Sequence, residues 1–409
     1  MKVEIITVGD EVIFGHIVDT NAAFLANAVY SLGAKVTRII SVGDDVAAIS
    51  EVLREATSRA DLIIVTGGLG STPDDLTSQA AAQAFGRRFA LHKGYLESIR
   101  EKFQGWDLKF TPSSERQAML PEGAQPLPNP IGICGFKLEE AGKTLFFLPG
   151  VPREVEKITE GVLLPFLRER IRGKEVIRAS LLKIFGPTET GVKELLQDLE
   201  GDYELAYLPS FPEIHLRLVV RGADEADVEA RKKRYEEGIR KKLGIHLFGK
   251  DDEVLEGVVG ELLKEKGMTI SVAESCTGGL VAHRITEIPG SSDYFLGGVV
   301  VYSNQAKEEL LGVPRHILER FGPVSRQTAE FMARGVRRLN RTTLALATTG
   351  IAGPTGGTPE TPVGRVFIAL AAQDEVKVRK YDFFGDRHQI KLMASEVTLD
   401  MVRRYLLTL

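Results

Sequence analysis

Apolar positions in the first part of this chain recur in short blocks separated by amphipathic stretches. Residues 3–8 read as an apolar strand, 20–32 carry a helical period, 35–42 alternate and 46–58 are helical again. Asp61 opens a strand whose residues 62–65 are apolar and run into Thr66-Gly67-Gly68-Leu69-Gly70. Blocks of this length bounded by glycine read as strands, and the 3.6-residue period between them reads as helix. The succession is βαβαβ, whose right-handed crossovers build a parallel sheet covered on both faces, with ligands gathered at the carboxyl ends of the strands. Polar residues fall at those ends: Asp10 and Glu11 after the first strand, Asp44 and Asp45 after the second, Asp74 and Asp75 after the third. A further strand at 144–148 enters Pro149-Gly150, and a helix near 163–170 closes the unit.

From residue 174 the pattern changes. Strand 179–185, helix 189–199, strands 204–209 and 213–220 and a charged helix at 224–243 form a small βαββα layer close to a KH-like arrangement. The last helix carries Arg231-Lys232-Lys233-Arg234 and Arg240-Lys241-Lys242, interleaved with Glu229, Glu236 and Glu237. The Gly-x-x-Gly clamp of RNA-binding KH domains is absent, so a spacer or dimerisation module with a solvated helix face is expected.

A third unit opens with an amphipathic helix at 254–266 and the apolar run 268–272. Ala273-Glu274-Ser275-Cys276-Thr277-Gly278-Gly279 follows, before a helical pattern beginning at Leu280. Strands at 297–301, 343–348 and 363–371 and helices at 328–339 and 388–407 complete it. Ser275 therefore sits at a strand-to-helix turn, where backbone N–H groups and a helix N-terminus suit a phosphate or an oxyanion. Two more segments add chemistry: Gly297–Lys307, with Tyr302 and Lys307, and Thr348–Gly357, with Gly350, Ala352 and Gly353. Together they offer a hydroxyl nucleophile, an amine base, a phenol and two glycine-rich cradles. Ser275 is equally placed to cap the helix. Cys276 is a rival nucleophile because a thiolate attacks more readily than a hydroxyl.

Length and composition frame these units. The 409 residues exceed what one core organises and imply two or three domains, and 43% hydrophobic with 26% charged residues is ordinary for a globular protein. Only two cysteines, Cys134 and Cys276, are present, so a disulfide framework or a cysteine-rich zinc site has no material. No apolar stretch is long enough for a signal peptide core or a membrane span, and a cytoplasmic protein with no membrane partner is expected. A net charge of −4 gives no overall attraction to nucleic acid, which is not expected as a partner.

On these residues the chain resembles the CinA family over essentially its whole length. Thr66-Gly67-Gly68-Leu69-Gly70 with Asp75-Leu76-Thr77 is similar to the molybdopterin-binding fold, whose relatives carry Thr-Gly-Gly-Thr-Gly and Asp-x-Thr. Glu274–Gly279, Tyr302–Lys307 and Gly350–Pro354 are similar to nicotinamide mononucleotide deamidases. The resemblance implies an α/β protein of three parts. Residues 1–171 form a molybdopterin-binding-like three-layer domain with ADP-ribose pyrophosphatase activity, 172–249 a KH-like α+β connecting module, and 250–409 an α/β deamidase domain. Nicotinamide mononucleotide and ADP-ribose are the substrates it implies, and a homodimer is expected.

In the deamidase part the resemblance makes Ser275 the nucleophile, with Lys307 and Tyr302 as its activators. Lys307 must be neutral to act, so its pKa must fall from about 10.4. Cys276, Thr277, Gly278 and Gly279 are expected to bind the oxyanion, and Gly350, Ala352, Gly353 and Arg387 the phosphate; no cofactor is expected there. In the pyrophosphatase part, Thr66, Gly67, Gly68 and Gly70 are expected to cradle phosphate, with Asn21, Asn129 and Gly150 around the nucleoside. Cleaving a pyrophosphate calls for charge neutralisation and an activated water, most simply from a divalent metal such as Mg, with a monovalent cation also allowed for. Asp75 and Asp44 are the first catalytic and metal-ligating choices, Asp10 and Glu11 the next. No Nudix box is present, and a nucleotide- or pterin-binding domain without hydrolysis is the alternative. For the whole chain the alternative is a competence or repair scaffold with degenerate enzyme domains.

Overall fold

A computed structural model describes residues 1–132, 135–171 and 176–409. Cys134 and the boundary expected at 171/172 lie on or beside residues outside this set. By contacts the chain divides into two compact units, residues 1–179 with 220–231, and residues 180–219 with 232–409.

The first unit is built on a six-stranded sheet with the order Lys35–Val42, Lys2–Val8, Leu62–Thr66, Lys143–Leu148, Phe136–Glu140, Gln125–Pro126. Its first four strands are parallel and the last two run antiparallel. Successive side chains of a strand point to opposite faces. Ile6, Ile63, Val65 and Phe147 accordingly enter one core, while Val3, Ile5, Ile64 and Phe146 enter another. Burial of both faces is why these strands read as unbroken apolar runs. Helices Thr20–Ser31 and Val46–Arg59 start at Asp19 and Asp45, whose carboxylates accept from Ala22 N and Ala48 N. Asp45 is therefore a helix cap. The strand ends Val8, Val42, Thr66 and Leu148 lead into Gly9, Gly43, Gly67 and Pro149-Gly150, all at one end of the sheet.

In the second unit, a four-stranded sheet has the order Glu204–Ser210, Glu213–Gly222, Val176–Ile184, Leu247–Lys250. The last strand was not expected from the sequence; Leu247-Phe248-Gly249-Lys250 is too short and too mixed to show a period. The chain then forms a five-stranded sheet with the order Phe295–Val300, Ile270–Glu274, Leu344–Gly350, Arg365–Ala371, Val376–Asp382. The first three strands are parallel and the last two antiparallel. One face presents Ile270, Val272, Leu344 and Leu346 to helices Leu255–Glu265 and Arg387–Leu406. The other face presents Ala273, Ala345, Ala347 and Ala369, small residues that admit helix Arg326–Asn340 with its Met332, Ala333 and Val336. Among the described residues no helix is long and apolar enough to cross a membrane. The α/β class stands as expected.

Candidate active sites

Strand Ile270–Glu274 ends one residue before Ser275, and helix Leu280–Thr286 begins after Gly279, which holds φ 97°. The turn is anchored from below: Ser275 N donates to Thr348 O at 2.9 Å, and the buried hydroxyls of Thr277 and Thr348 meet at 2.7 Å. Lys307 reaches this turn from helix Asn304–Leu311, which is capped by Ser303. Its Nζ lies 3.3 Å from Ser275 Oγ, 2.8 Å from Val301 O and 3.3 Å from Tyr302 O. The lysine is buried to 1% exposure, and that desolvation pulls its pKa below the ordinary lysine value, against a smaller opposing pull from Cys276.

Three expectations for this turn are corrected. Gly279 is not available to an oxyanion, because its N–H donates to Glu274 at 2.9 Å; Val281 N and Ala282 N donate to the same carboxylate. Glu274 thus occupies the helix N-terminus, where a carboxylate is favoured by the exposed N–H groups. Gly278 N is likewise engaged, on Ser275 O, which leaves Cys276 N and Thr277 N, beside the Cys276 sulfur, without a backbone acceptor among the described residues. The Tyr302 phenol does not touch Lys307. It is exposed and accepts from Arg387 at 3.2 Å, so Tyr302 holds the amine through its backbone carbonyl instead.

Cys276 packs with Ala352, Val366, Ile368 and Ile390, and burial pushes its thiol up to about 12. A thiol of that pKa carries almost no thiolate at neutral pH. A cavity of about 210 Å³ opens above Ser275, lined also by Lys307, Tyr302, Gly350, Ala352 and Arg387. Gly350 must be glycine, since a Cβ there would lie 2.6 Å from Arg365 O. Arg387 reaches in from the start of the long C-terminal helix and donates to Gly353 O at 2.7 Å. Asn304 and Thr349 also line the cavity and are not singled out by the sequence; Asn304, four residues after a strand, carries no separate signal.

The first unit holds a larger cavity, about 660 Å³, at the carboxyl ends of its strands. Thr66, Gly67, Gly68, Gly70, Asn21, Asp75, Gly150 and Glu11 line it. Asp75 shapes the glycine turn: its carboxylate accepts from Gly70 N at 2.6 Å, Thr72 N at 2.7 Å and the Thr72 hydroxyl at 2.6 Å. Thr77 completes the turn by donating to Gly67 O at 2.9 Å. Gly67 and Gly68 both have positive φ, and Cβ atoms there would meet Val8 O at 2.1 Å and the Thr77 hydroxyl at 2.3 Å. Because Gly67 N is bound to Leu148 O and Gly70 N to Asp75, the turn offers a phosphate fewer N–H groups than expected. Asn21 ties Gly150 O at 2.7 Å to this cradle, and buried Asn129 positions Gly132 N and the Glu154 carboxylate, which also lines the cavity.

Of the four expected metal ligands, Asp10, Glu11 and Asp44 lie near one another, and Glu11 and Asp75 line the cavity. Asp75 is engaged by the glycine turn, while Asp10 and Asp44 accept from each other's backbone N–H at 3.1 and 2.9 Å. Burial raises the pKa of Asp44, and the nearby negative charges of Asp10, Glu11 and Asp74 add to it. Among the described residues no group of three or more acidic, histidine or cysteine side chains is arranged to hold a metal ion.

The charged helix of the middle module is engaged locally: Arg231 pairs with Asp227 at 2.8 Å and donates to Arg221 O, and Arg234 lies over the Tyr235 ring.

Comparison with known proteins matches three successive segments of the chain. Residues 4–169 match a probable molybdopterin binding domain, 179–249 the KH domain of damage-inducible protein CinA, and 252–406 the CinA C-terminal domain. A CinA-like protein of Geotalea uraniireducens is 43% identical, covering 100% of this chain and 98% of the relative. Another, of Syntrophus aciditrophicus, is 44% identical over 99% of this chain and 98% of its own length. The crystal structure of competence/damage inducible protein CihA from Agrobacterium tumefaciens is 42% identical, covering 37% of this chain and 93% of its own, with a TM-score of 0.36. With identity at this level sustained from end to end, the chain belongs to the CinA family.

Proposed function

We propose that the C-terminal site hydrolyses the carboxamide of nicotinamide mononucleotide to nicotinate mononucleotide and ammonia. The observation that carries this reading is a buried lysine of lowered pKa within 3.3 Å of a serine hydroxyl at a strand-to-helix turn. Neutral Lys307 has two hydrogens, which Val301 O and Tyr302 O accept, so its lone pair faces Ser275 Oγ. As Oγ bonds to the amide carbon, its proton passes to Lys307, and the oxyanion meets Cys276 N and Thr277 N. Lys307 then returns the proton to the departing nitrogen, which leaves as ammonia. Water, deprotonated by the same amine, attacks the serine ester, and Lys307 returns that proton to the departing Ser275 Oγ as the acid is freed. The small cavity takes the ring and its amide; Arg387, with two donors, suits the phosphate at the rim. Incubation with nicotinamide mononucleotide should yield ammonia and nicotinate mononucleotide in equal amounts; release of neither overturns the reading.

For the first unit the proposal is hydrolysis of ADP-ribose to AMP and ribose 5-phosphate. A cavity of about 660 Å³ at the carboxyl ends of parallel strands, beside a glycine turn, supports a dinucleotide-sized ligand. AMP release from ADP-ribose, measured with and without added Mg²⁺, tests it. Tight binding without turnover under both conditions would leave a binding domain in its place.

A further inference from the structure

A second cavity in the C-terminal half, about 840 Å³, lies apart from Ser275 and takes no part in the chemistry above. One wall is the edge strand Val376–Asp382 and its exit, where Lys377, Arg379, Tyr381 and Phe383 alternate onto the same face. Another is the long helix Arg387–Leu406, which contributes Met393, Val397, Met401 and Tyr405 at a spacing of four. The loop Phe185–Thr188 and His246 close a third side. Gly186, at φ 113°, keeps that side open: a Cβ would stand 3.0 Å from His246 Nδ1 and 3.4 Å from Arg404.

The lining combines flat apolar surface with positive charge. Tyr381 and Phe383 are parallel to within 8° with ring centroids 5.4 Å apart, and two polarizable methionines face the same space. Lys377, Arg379 and Arg404 line it with the carboxylate of Asp400, and Lys377 is itself paired with Glu375 at 3.1 Å. Asp400 is shared between Arg404 at 2.5 Å and the buried Arg403 at 2.6 Å, so it neutralises only part of that charge. Arg379 has no partner among the described residues. Aromatic walls, a cationic rim and a volume within the range of small-ligand sites fit a planar ring that carries an anionic group.

From this we infer that the cavity binds a mononucleotide, base against Tyr381 and Phe383 and phosphate toward Arg379 and Arg404. Its floor is shared with the deamidase site. Tyr381, Phe383, Val397 and Met401 pack on the cluster that contains Cys276, and the same helix begins at Arg387. A ligand here therefore touches the packing behind the nucleophile turn without entering it.

The test is methyl NMR of the full-length protein labelled at methionine and titrated with AMP, with inorganic phosphate as the control. Met393 and Met401 report on this cavity, whereas Met119 lies at the first unit's glycine turn. Saturable shifts of Met393 and Met401 with AMP, absent with phosphate alone and abolished in Arg379→Glu, are expected. Unmoved Met393 and Met401 signals at millimolar AMP, or the same shifts in Arg379→Glu, overturn the inference. So do shifts that follow protein concentration instead of AMP, which would mark this face as a contact between copies of the chain. Tyr381→Ala, whose change leaves the cationic rim in place, should weaken AMP by tenfold or more.

Discussion

Lys307 Nζ, carried by helix Asn304–Leu311, stands 3.3 Å from Ser275 Oγ and is held there by the carbonyls of Val301 and Tyr302. Their carbonyls fix its direction and its burial lowers its proton affinity. Replacement of Lys307 by Ala is therefore expected to reduce kcat for deamidation by about 10²–10⁴-fold with little change in KM. Lys307→Arg should be equally impaired, because a guanidinium cannot become neutral at these pH values. Steady-state kinetics on both variants check this, with circular dichroism to confirm folding.

The same burial gives a pH signature. Folding lowers the pKa of Lys307, so between the folded and the unfolded values the unfolded chain binds more protons. Stability should rise with pH through that window, below about 10.4, and the cost of the buried charge is complete below the folded value. Deamidation should rise over the lower part of the same range as the amine becomes neutral. Lys307→Met should flatten the stability slope in denaturant melts recorded across pH; an unchanged slope would assign it to other groups.

Glu274 belongs to the same motif as Ser275 but does a different job. Its carboxylate accepts three N–H groups at the start of helix Leu280–Thr286 while 1% exposed. Glu274→Ala should leave those donors buried and unsatisfied, and destabilise the protein by roughly 2–4 kcal/mol. Urea denaturation measures this directly, and Glu274→Gln should recover part of the loss.

Asp75 is predicted to act on the first unit's ligand through the shape of the glycine turn. Asp75→Ala removes the acceptor for Gly70 N, Thr72 N and the Thr72 hydroxyl. Affinity for ADP-ribose should fall by tenfold or more, and Asp75→Asn should retain part of it because one oxygen remains. Isothermal titration with ADP-ribose decides between this and a direct catalytic role, which would leave binding intact.

Legibility in the sequence followed burial. The strands Lys2–Val8 and Leu62–Thr66 are covered on both faces and read at once as apolar runs. Val376–Asp382 did not, because an edge strand with Lys377, Arg379 and Lys380 exposed looks like charged surface. Helix Thr77–Ala84 escaped notice because Ala80, Ala81 and Ala82 bury well without bulky apolar side chains to mark a period. At the C-terminal site the residue types and the turn were readable, since strand, glycine pair and helix are local. The direction of each hydrogen bond was not. Glu274 turns to the start of the helix that follows it, and the Tyr302 phenol to Arg387, 85 residues away in the chain.

The central claim is tested most directly by ammonia release from nicotinamide mononucleotide, measured for the unaltered protein, Ser275→Ala and Cys276→Ala. The account predicts release by the unaltered protein, loss in the serine variant, and survival in the cysteine variant, whose buried thiol has a pKa raised to about 12. Retained activity in Ser275→Ala, or loss in a folded Cys276→Ala, would contradict it.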